Sequence, residues 1–286
     1  MRLRGRLKKL VYGMWPFYRG TFPYFGQQIH FPIGSHLFDR LCGEGIYERD
    51  TLRLLSDLVG DDGTYIDVGA NIGLLSVPIL VHRPGVRVVS IEASPATFRD
   101  LERTRNMSTH RARWSVVGCA VGRVAGSTTF WASEPNNAAF DGVRDTGRGG
   151  SKVPVTVTVR TLDEIWQEAG SPKVSAVKID VEGGETDVIA GASKLIGRDR
   201  PVFLIEWSRQ NLPAYGIEPE HLLALCSGIG YRAYAHPGMY EASEENILRF
   251  AMTQTETFML MPNGPSRRVH IASVDADSHH ALSDPR

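Results

Sequence analysis

Residues 64–78 combine three features that together point to a ligand site in an α/β sheet. Tyr65–Val68 is typical of a buried strand, Gly69 and Gly73 bound a turn, and the following residues begin a helix. Doubly wound α/β sheets bind ligands where a strand ends and a helix begins. Glycines let the backbone approach a ligand, and the amides at a helix N-terminus favour a negative group. We therefore expect a ligand-binding turn with open amides.

Asp67 restricts the ligand that this turn can hold. A carboxylate at the strand end would repel phosphate, and the turn lacks the Gly-Lys-Ser/Thr of a phosphate-binding loop. The spacing of Gly69 and Gly73 also differs from the G-x-G-x-x-G of dinucleotide folds. A carboxylate beside open amides suits a zwitterion, such as the amino-acid end of S-adenosylmethionine.

Composition excludes several classes of protein. The 286 residues are 42% hydrophobic, which can bury a full core, and 32 basic residues balance 32 acidic ones. The charge balance therefore does not argue for nucleic acid as a partner. The three cysteines lie far apart, so a disulfide framework or a C-x-x-C zinc site is not expected. This favours a reducing, cytoplasmic setting.

The N-terminus is basic, with interspersed leucines over residues 1–10. No run of about 18 apolar residues follows it, so we expect no transmembrane segment. A peripheral contact with an anionic membrane at the inner face is one interpretation, and a solvated basic end is the favoured one.

The chain divides into three parts. Residues 1–62 are predicted to form an N-terminal extension with one or two helices, residues 63–264 the main domain, and residues 265–286 a disordered tail. In the main domain, strands alternate with helices, which predicts a mostly parallel α/β sheet with helices on both faces. The last two strands are joined by an irregular segment, which predicts an antiparallel pair at the C-terminal end.

An insertion interrupts this alternation. Residues 127–132 and 153–159 alternate between apolar and polar residues and predict a β-hairpin. The loop between them, residues 133–152, is long enough to be either filler or a functional lid. Arg144 and Arg148 in this loop could grip a phosphate-bearing acceptor or be solvated.

Four acids stand at the ends of predicted strands: Asp67, Glu92, Asp180 and Glu206. Carboxyl ends of parallel strands are where such sheets bind ligands. Glu92 follows the glycine turn on the next strand, where an acid can accept from both ribose hydroxyls of a nucleotide. The alternative role of these acids is helix capping or ion pairing, which we rate lower for Asp67 and Glu92.

Several motifs resemble those of the FkbM family of S-adenosylmethionine-dependent methyltransferases. They are Ile66–Gly73, Ile91–Pro95, Val177–Glu185 and Leu204–Glu206, with Gly45–Glu48 upstream. The most specific element is the Lys-Ile-Asp-Val-Glu-Gly-x-Glu run, and the likeness covers about residues 45–240. The resemblance implies a class I methyltransferase (Rossmann-like) fold.

The resemblance also implies a cofactor site for S-adenosylmethionine. The implied contacts are the methionine moiety at Asp67, Gly69, Ala70, Asn71 and Gly73, the ribose at Glu92, and the adenine at Ala93, Ser94, Cys119 and Ala120. No acid that would read the adenine is evident at the end of the third strand. Asp180 is also placed at the cofactor.

The reaction that the resemblance implies is O-methylation of a sugar, glycan, glycolipid or natural-product hydroxyl. The alternatives are an NAD-dependent oxidoreductase, which would need the missing G-x-G-x-x-G, and a non-catalytic cofactor-binding module. The predicted partners are a small-molecule or glycan acceptor and no nucleic acid.

Asp180 is the first candidate for the base that removes the hydroxyl proton, because its strand end faces the methyl group in this architecture. Lys178 stands two residues earlier and shares its face of a regular strand. The other candidate bases are Glu182, Glu185 and Glu206. Alternatively, Glu182 or Glu185 caps the following helix.

Other catalytic groups are conceivable. Asp180 and Glu206 with a third oxygen ligand could bind Mg²⁺, although two acids do not make a metal site and we favour catalysis without metal. Three histidines could serve as a base, but packing roles are favoured: His30, His82 and His236. The aromatic residues of the extension could line an acceptor pocket, but we expect them to pack it onto the sheet.

Overall fold

The computed structural model describes residues 3–13, 18–133 and 140–264. The predicted disordered tail, residues 265–286, lies outside the described residues. Among the residues described, no helix has both the length and the apolar character needed to cross a bilayer.

The N-terminal region forms three helices and a hairpin, where one or two helices were predicted. Its elements are α1 (Leu3–Gly13), β1 (Thr21–Tyr24), β2 (Gln27–His30), α2 (His36–Glu44) and α3 (Arg49–Val59). Strands β1 and β2 pair antiparallel. The rings of Phe31 and Phe38 stack with centroids 4.3 Å apart, and the buried Phe22 contacts both. Phe22, Phe31 and Phe38 therefore pack the extension and do not line a pocket.

The main domain follows in the chain order expected of an α/β fold. Its elements are β3 (Thr64–Val68), α4 (Ser76–His82), β4 (Arg87–Glu92), α5 (Pro95–Met107), β5 (Trp114–Gly118), β6 (Ala120–Val121), β7 (Gly126–Ser133), β8 (Lys152–Arg160), α6 (Leu162–Glu168), β9 (Val174–Ile179), α7 (Glu185–Ala190), α8 (Ser193–Asp199), β10 (Val202–Glu206), α9 (Leu212–Tyr215), α10 (His221–Ile229), β11 (Tyr231–Ala235), β12 (Tyr240–Glu241), α11 (Glu245–Ala251) and β13 (Thr257–Pro262).

The central sheet has the order β12-β11-β13-β10-β9-β3-β4-β5. Strands β10, β9, β3, β4 and β5 are parallel, whereas β13 runs antiparallel to both β10 and β11. The prediction of a mostly parallel sheet with an antiparallel C-terminal pair is confirmed. Strand β3 is buried at all five positions, as expected for a parallel strand whose two faces are both covered.

Each face of the sheet has its own hydrophobic core. Ile66 and Val177 contribute to one core together with side chains from α6, α7, α8, α10 and α11. Tyr65 and Ala176, their neighbours along the strands, point to the other core. This second core also contains the buried side chains of the N-terminal region, so the extension covers one face of the sheet.

The third predicted strand, residues 114–121, is not continuous. Glu92 of β4 pairs with Gly118, but Ala120 and Val121 pair with β8 instead, in a separate three-stranded sheet of order β6-β8-β7. The strand changes partners because the inserted hairpin offers a backbone edge beside the end of β5. The hairpin, which the sequence predicts, is thereby fixed next to the carboxyl edge of the central sheet.

Candidate active site

The turn after β3 folds back on the end of β4. The amides of Gly69 and Ala70 both donate to the carbonyl of Ile91, over 2.9 and 3.0 Å, and the amide of Asn71 donates to Glu92. The prediction that these amides are open is therefore wrong at these three positions. The regular helix α4 also begins at Ser76, and not at the turn itself, so its N-terminus does not supply the expected anion site.

Gly69 brings the ends of β3 and β9 into contact. Its φ is +79°, and a β-carbon at this position would lie 1.8 Å from the carbonyl oxygen of Asp180. Only glycine fits such a close approach. The contact sets the glycine turn directly beside the acidic end of β9.

A cleft of about 920 Å³, counting the part open to solvent, lies at this edge of the sheet. Most of the sequence-predicted residues line it: Asp67, Gly69, Ala70, Asn71, Glu92, Ala93, Cys119, Ala120, Lys178, Asp180 and Glu182. Its lining combines apolar side chains with a few polar groups, as small-molecule pockets do. The structure thus brings together residues that are more than a hundred positions apart in the chain.

Four predicted residues do not line this cleft. Glu185 is buried in the first turn of α7, where its Oε1 accepts from the amides of Gly183 and Val181 over 3.0 and 3.4 Å. Gly73 packs against the ring of Trp114, and Ser94 directs its amide to Glu92. Glu206 lines a smaller neighbouring cavity. For Gly73 and Ser94, any effect on a ligand in the cleft would therefore pass through neighbouring residues.

Asp67 carries an unsatisfied oxygen. It is 1% exposed, and its Oδ2 accepts from the Ser76 hydroxyl over 2.6 Å. Its Oδ1 is buried and makes no hydrogen bond of normal geometry, although the Tyr65 hydroxyl lies near the carboxylate. Burial raises the pKa of Asp67, and the nearby charge of Lys178 partly offsets this effect. A cationic or N–H donor group in the cleft would satisfy Oδ1.

Glu92 closes the glycine turn with its side chain. Its Oε2 accepts from the Asn71 amide over 2.9 Å, and its Oε1 accepts from the Ser94 amide over 2.8 Å. Burial raises the pKa of Glu92 to about 7, although these two amides partly offset the effect. Each carboxylate oxygen keeps lone-pair capacity for a further donor.

Lys178 and the half-buried Asp180 form an ion pair, with Nζ 2.8 Å from Oδ2. Burial alone would raise the pKa of Asp180, but the charge of Lys178 and its hydrogen bond outweigh burial and lower it. The charges of Asp180, Asp67 and Glu48 outweigh the burial of Lys178 and raise its pKa. Asp180 is therefore ionised and Lys178 charged at neutral pH.

Asp180, Glu182 and Glu206 have carboxylate oxygens within 4.8 Å of one another. Burial and the charge of Asp180 raise the pKa of Glu182 to about 8 and that of Glu206 well above its ordinary value. Arg148 of the hairpin loop donates to Glu182 Oε2 over 3.0 Å. Two of the three acids therefore already have a cationic partner, while the raised pKa of Glu206 favours its neutral form.

The smaller cavity, of about 290 Å³, adjoins the cleft and shares Lys178 and Asp180 with it. The extension contributes Glu48, which has a left-handed φ of +42°, and the C-terminal strands contribute Glu206 and Thr257. Every polar side chain of this cavity other than Lys178 can accept a hydrogen bond, and Thr51, Thr257 and neutral Glu206 can also donate one. A ligand hydroxyl, which both donates and accepts, would suit this lining.

The remaining candidates have roles within the protein. Arg148 also donates to Asn211, and Arg144 lies over the ring of Tyr215. The three histidines line neither cavity. His30 pairs with Asp100, with Nδ1 2.9 Å from Oδ1.

Sequence reasoning missed the cleft residues that lie outside the strand-end motifs. Leu37 and Tyr47 come from the extension, and Phe130, Asp141 and Val143 from the inserted hairpin and its loop. Tyr47 lies in the upstream motif that carries the resemblance, which is the one sequence signal that could have found it. The hairpin residues show no such signal, because only their pairing places them at the cleft.

Comparison with known proteins identifies a shared domain. The family described as "Methyltransferase FkbM domain" matches residues 67–233. Hexuronic acid methyltransferase AglP of Haloferax volcanii is 30% identical over 151 residues, 52% of this chain and 58% of AglP. The 31-O-demethyl-FK506 methyltransferase FkbM of Streptomyces tacrolimicus is 30% identical over 151 residues, 44% of this chain and 57% of that protein.

This chain matches a larger share of a third relative. The 2-O-methyltransferase NoeI of Sinorhizobium fredii is 27% identical over 175 residues, 56% of this chain and 69% of NoeI. The chain thus spans somewhat more than half of the length of AglP and of FkbM, and about two thirds of NoeI.

Proposed function

The chain belongs to the family of FkbM methyltransferase domains, and on that premise we propose that it transfers a methyl group from S-adenosylmethionine to an acceptor hydroxyl. The observation that carries the proposal is a single cleft into which Asp67, Glu92 and Asp180 all open. The acceptor that we propose is a sugar, glycan, glycolipid or natural product. Residues 63–264 would form the methyltransferase domain and residues 1–62 an extension that closes one side of the site.

The residues of the cleft fit the methyl donor. The unpartnered Oδ1 of Asp67 would accept from the α-ammonium group of the methionine moiety. Glu92 would accept from the ribose hydroxyls while it holds the turn with the same carboxylate. Ala93, Cys119 and Ala120 would lie beside the adenine.

The protonation of Glu92 provides a test of the donor site. Because the pKa of Glu92 is raised to about 7, and ribose hydroxyls favour its ionised form, ligand binding should lower that pKa. We expect S-adenosylhomocysteine to bind most tightly above pH 7 and to lose up to about tenfold in affinity per pH unit below it. Isothermal titration from pH 5.5 to 8.5 measures this dependence.

Two variants make the titration specific. Glu92→Gln should bind more weakly and largely lose the pH dependence near 7, whereas Glu102→Gln, an exposed position on α5, should behave like the wild type. If neither S-adenosylhomocysteine nor S-adenosylmethionine binds the wild type at any of these pH values, the proposed function is wrong.

In the proposed reaction, Asp180 accepts the proton of the acceptor hydroxyl. The bound sulfonium supplies a methyl group that is already activated for in-line displacement, so the protein chiefly aligns the reactants. Lys178 keeps Asp180 ionised and directs its side chain through their hydrogen bond. The lowered pKa of Asp180 makes it a weak base, which is sufficient if the proton leaves late in the displacement.

The adjoining cavity favours a neutral, hydroxyl-bearing group at the reacting end of the acceptor. Glu48, Asp180 and Glu206 present carboxyl groups there, and Thr51 and Thr257 lie beside them. Carboxylates accept hydrogen bonds from hydroxyls and repel phosphate or carboxylate. The names of AglP, NoeI and FkbM support acceptors of the sugar and natural-product classes.

Glu48 is the residue whose change tests this acceptor side. We expect Glu48→Gln to raise KM for a neutral glycoside about tenfold or more, because a charged acceptor of a hydrogen bond contributes about 1.5–3 kcal/mol. Release of S-adenosylhomocysteine against a panel of neutral methyl glycosides measures KM. Glu44→Gln, an exposed residue paired with Arg40 on α2, is the matched control. An unchanged KM in the Glu48 variant would remove Glu48 from the acceptor site.

A further inference from the structure

Asp141 places a second unsatisfied carboxylate oxygen in the wall of the cleft. The residue is 8% exposed, and its Oδ1 accepts from the amide of Ser133 over 2.6 Å. Its Oδ2 is buried and makes no hydrogen bond of normal geometry, although the Ser94 and Ser133 hydroxyls lie near the carboxylate and partly offset the rise of its pKa on burial. A buried carboxylate oxygen without a donor is costly, so this atom points to a ligand that donates to it.

The backbone around Asp141 is fixed by the inserted hairpin. Gly142 pairs with Trp131 of β7 through two hydrogen bonds, over 2.7 and 3.2 Å. The Ser133 amide that holds Oδ1 belongs to the same strand. The backbone of Asp141 is therefore held next to a paired segment. The hydrogen bond to Oδ1 orients the side chain, and Oδ2 stays available to a ligand.

The residues around Asp141 indicate the chemical character of a ligand group that would donate to its Oδ2. Phe130, Val143 and Ala120 line the same cleft and belong to one small apolar cluster of the hairpin sheet. Glu92 lines the same cleft, and the charge of Asp141 contributes to the rise of the Glu92 pKa. The site therefore combines an apolar wall, an acid placed for ribose and an acid that needs a donor.

We infer that Asp141 Oδ2 accepts a hydrogen bond from the exocyclic 6-amino group of the donor's purine. The base would then be read by the inserted hairpin, and not by the end of β5, where Cys119 and Ala120 offer no acid. This inference rests on the proposed function, since it assigns one more contact in the same cleft. It makes Asp141 a residue that selects the nucleoside of the cofactor.

The inference predicts discrimination between two nucleosides that differ at one position. S-inosylhomocysteine carries a 6-oxo group where S-adenosylhomocysteine carries a 6-amino group. An oxo group cannot donate to Asp141, and its lone pairs would face a carboxylate. Sites built to hydrogen-bond a ligand group reject analogues that lack it strongly, and we expect about 100-fold or more weaker binding of S-inosylhomocysteine.

Isothermal titration of both nucleosides against the wild type, Asp141→Asn and Asp145→Asn tests this. Asparagine keeps the shape of Asp141 but can donate to an oxo group, so Asp141→Asn should bring the two affinities within about tenfold. Asp145 lies in the same loop, is 46% exposed along its side chain and does not line the cleft, so its variant should keep the wild-type preference. Thermal unfolding of each variant verifies that it is folded.

The outcomes separate this inference from the proposed function. If the wild type binds S-adenosylhomocysteine but binds S-inosylhomocysteine equally well, Asp141 does not read the base and the donor site stands. The same conclusion follows if folded Asp141→Asn keeps the full preference. If the wild type binds neither nucleoside, the proposed function fails and this inference fails with it.

Discussion

Replacing Asp180 with asparagine is expected to lower turnover by about 10²- to 10⁴-fold, the usual contribution of a positioned general base. Asp180 lies in the cleft and is kept ionised by Lys178, 2.8 Å away, so it can take a hydroxyl proton across the physiological pH range. Asparagine keeps the size of the side chain but cannot accept a proton. Single-turnover rates with saturating S-adenosylmethionine measure the loss.

A control variant and a test for a metal ion accompany this measurement. Asp187→Asn, at an exposed position in the first turn of α7, should retain wild-type turnover. Addition of EDTA should leave the wild-type rate unchanged, because Lys178 and Arg148 already neutralise two of the three clustered acids. Full turnover by Asp180→Asn would exclude Asp180 as the base, and strong inhibition by EDTA would reassign the cluster to a divalent cation.

Replacing Lys178 with methionine is expected to lower the free energy of unfolding by about 3–5 kcal/mol at pH 7, the cost of leaving buried charges without their partner. Lys178 is 7% exposed, and its charge offsets the burial of Asp180, Asp67 and Glu48. Methionine fills a similar volume, so the loss is electrostatic and not a packing defect. Urea unfolding of both proteins measures it.

The pH dependence of this loss follows from the two shifted groups. The raised pKa of Lys178 means that its stabilisation is fully present below the unfolded pKa of about 10.4 and is lost only as pH rises through the folded value. The lowered pKa of Asp180 means that its stabilisation is present above about 3.9 and is lost as pH falls through the folded value. The difference between wild type and variant should therefore narrow towards acidic pH, as protonation relieves the carboxylates.

Lys194→Met is the matched control for this comparison. Lys194 is exposed on α8, and its replacement should change the free energy of unfolding by no more than about 0.5 kcal/mol. If the Lys178 variant is as stable as this control, the charge of Lys178 is not needed to stabilise the carboxylates around it.

The strand-end acids could be predicted to meet because parallel strands direct their carboxyl ends to one edge of the sheet. Asp67 and Asp180 are 113 positions apart, yet the pairing of β3 with β9 brings them to one cleft. Glu92 follows in the same way through the pairing of β3 with β4. The periodicity of apolar residues was enough to infer each of these strands.

Features that depend on long-range contacts could not be predicted in this way. The amides of Gly69 and Ala70 are occupied because the turn folds onto β4, a contact that local sequence does not encode. Asp141 reaches the cleft through the pairing of Gly142 with Trp131, and Arg148 reaches Glu182 through the course of the loop. In each case the partner lies on another element, and a charged or polar residue in a loop gives no sign of it.

The contact between Gly69 and the carbonyl of Asp180 has a consequence for altering this protein by design. With no room for even one extra carbon between them, the turn and the end of β9 have to be kept together as they are. Changes of substrate range would have to be made elsewhere, in Tyr47 and Glu48 of the extension or in the hairpin loop. The proposed chemistry at Asp180 and the proposed acceptor contacts of Tyr47 and Glu48 are thus carried by separate parts of the chain, which an engineer could vary one at a time.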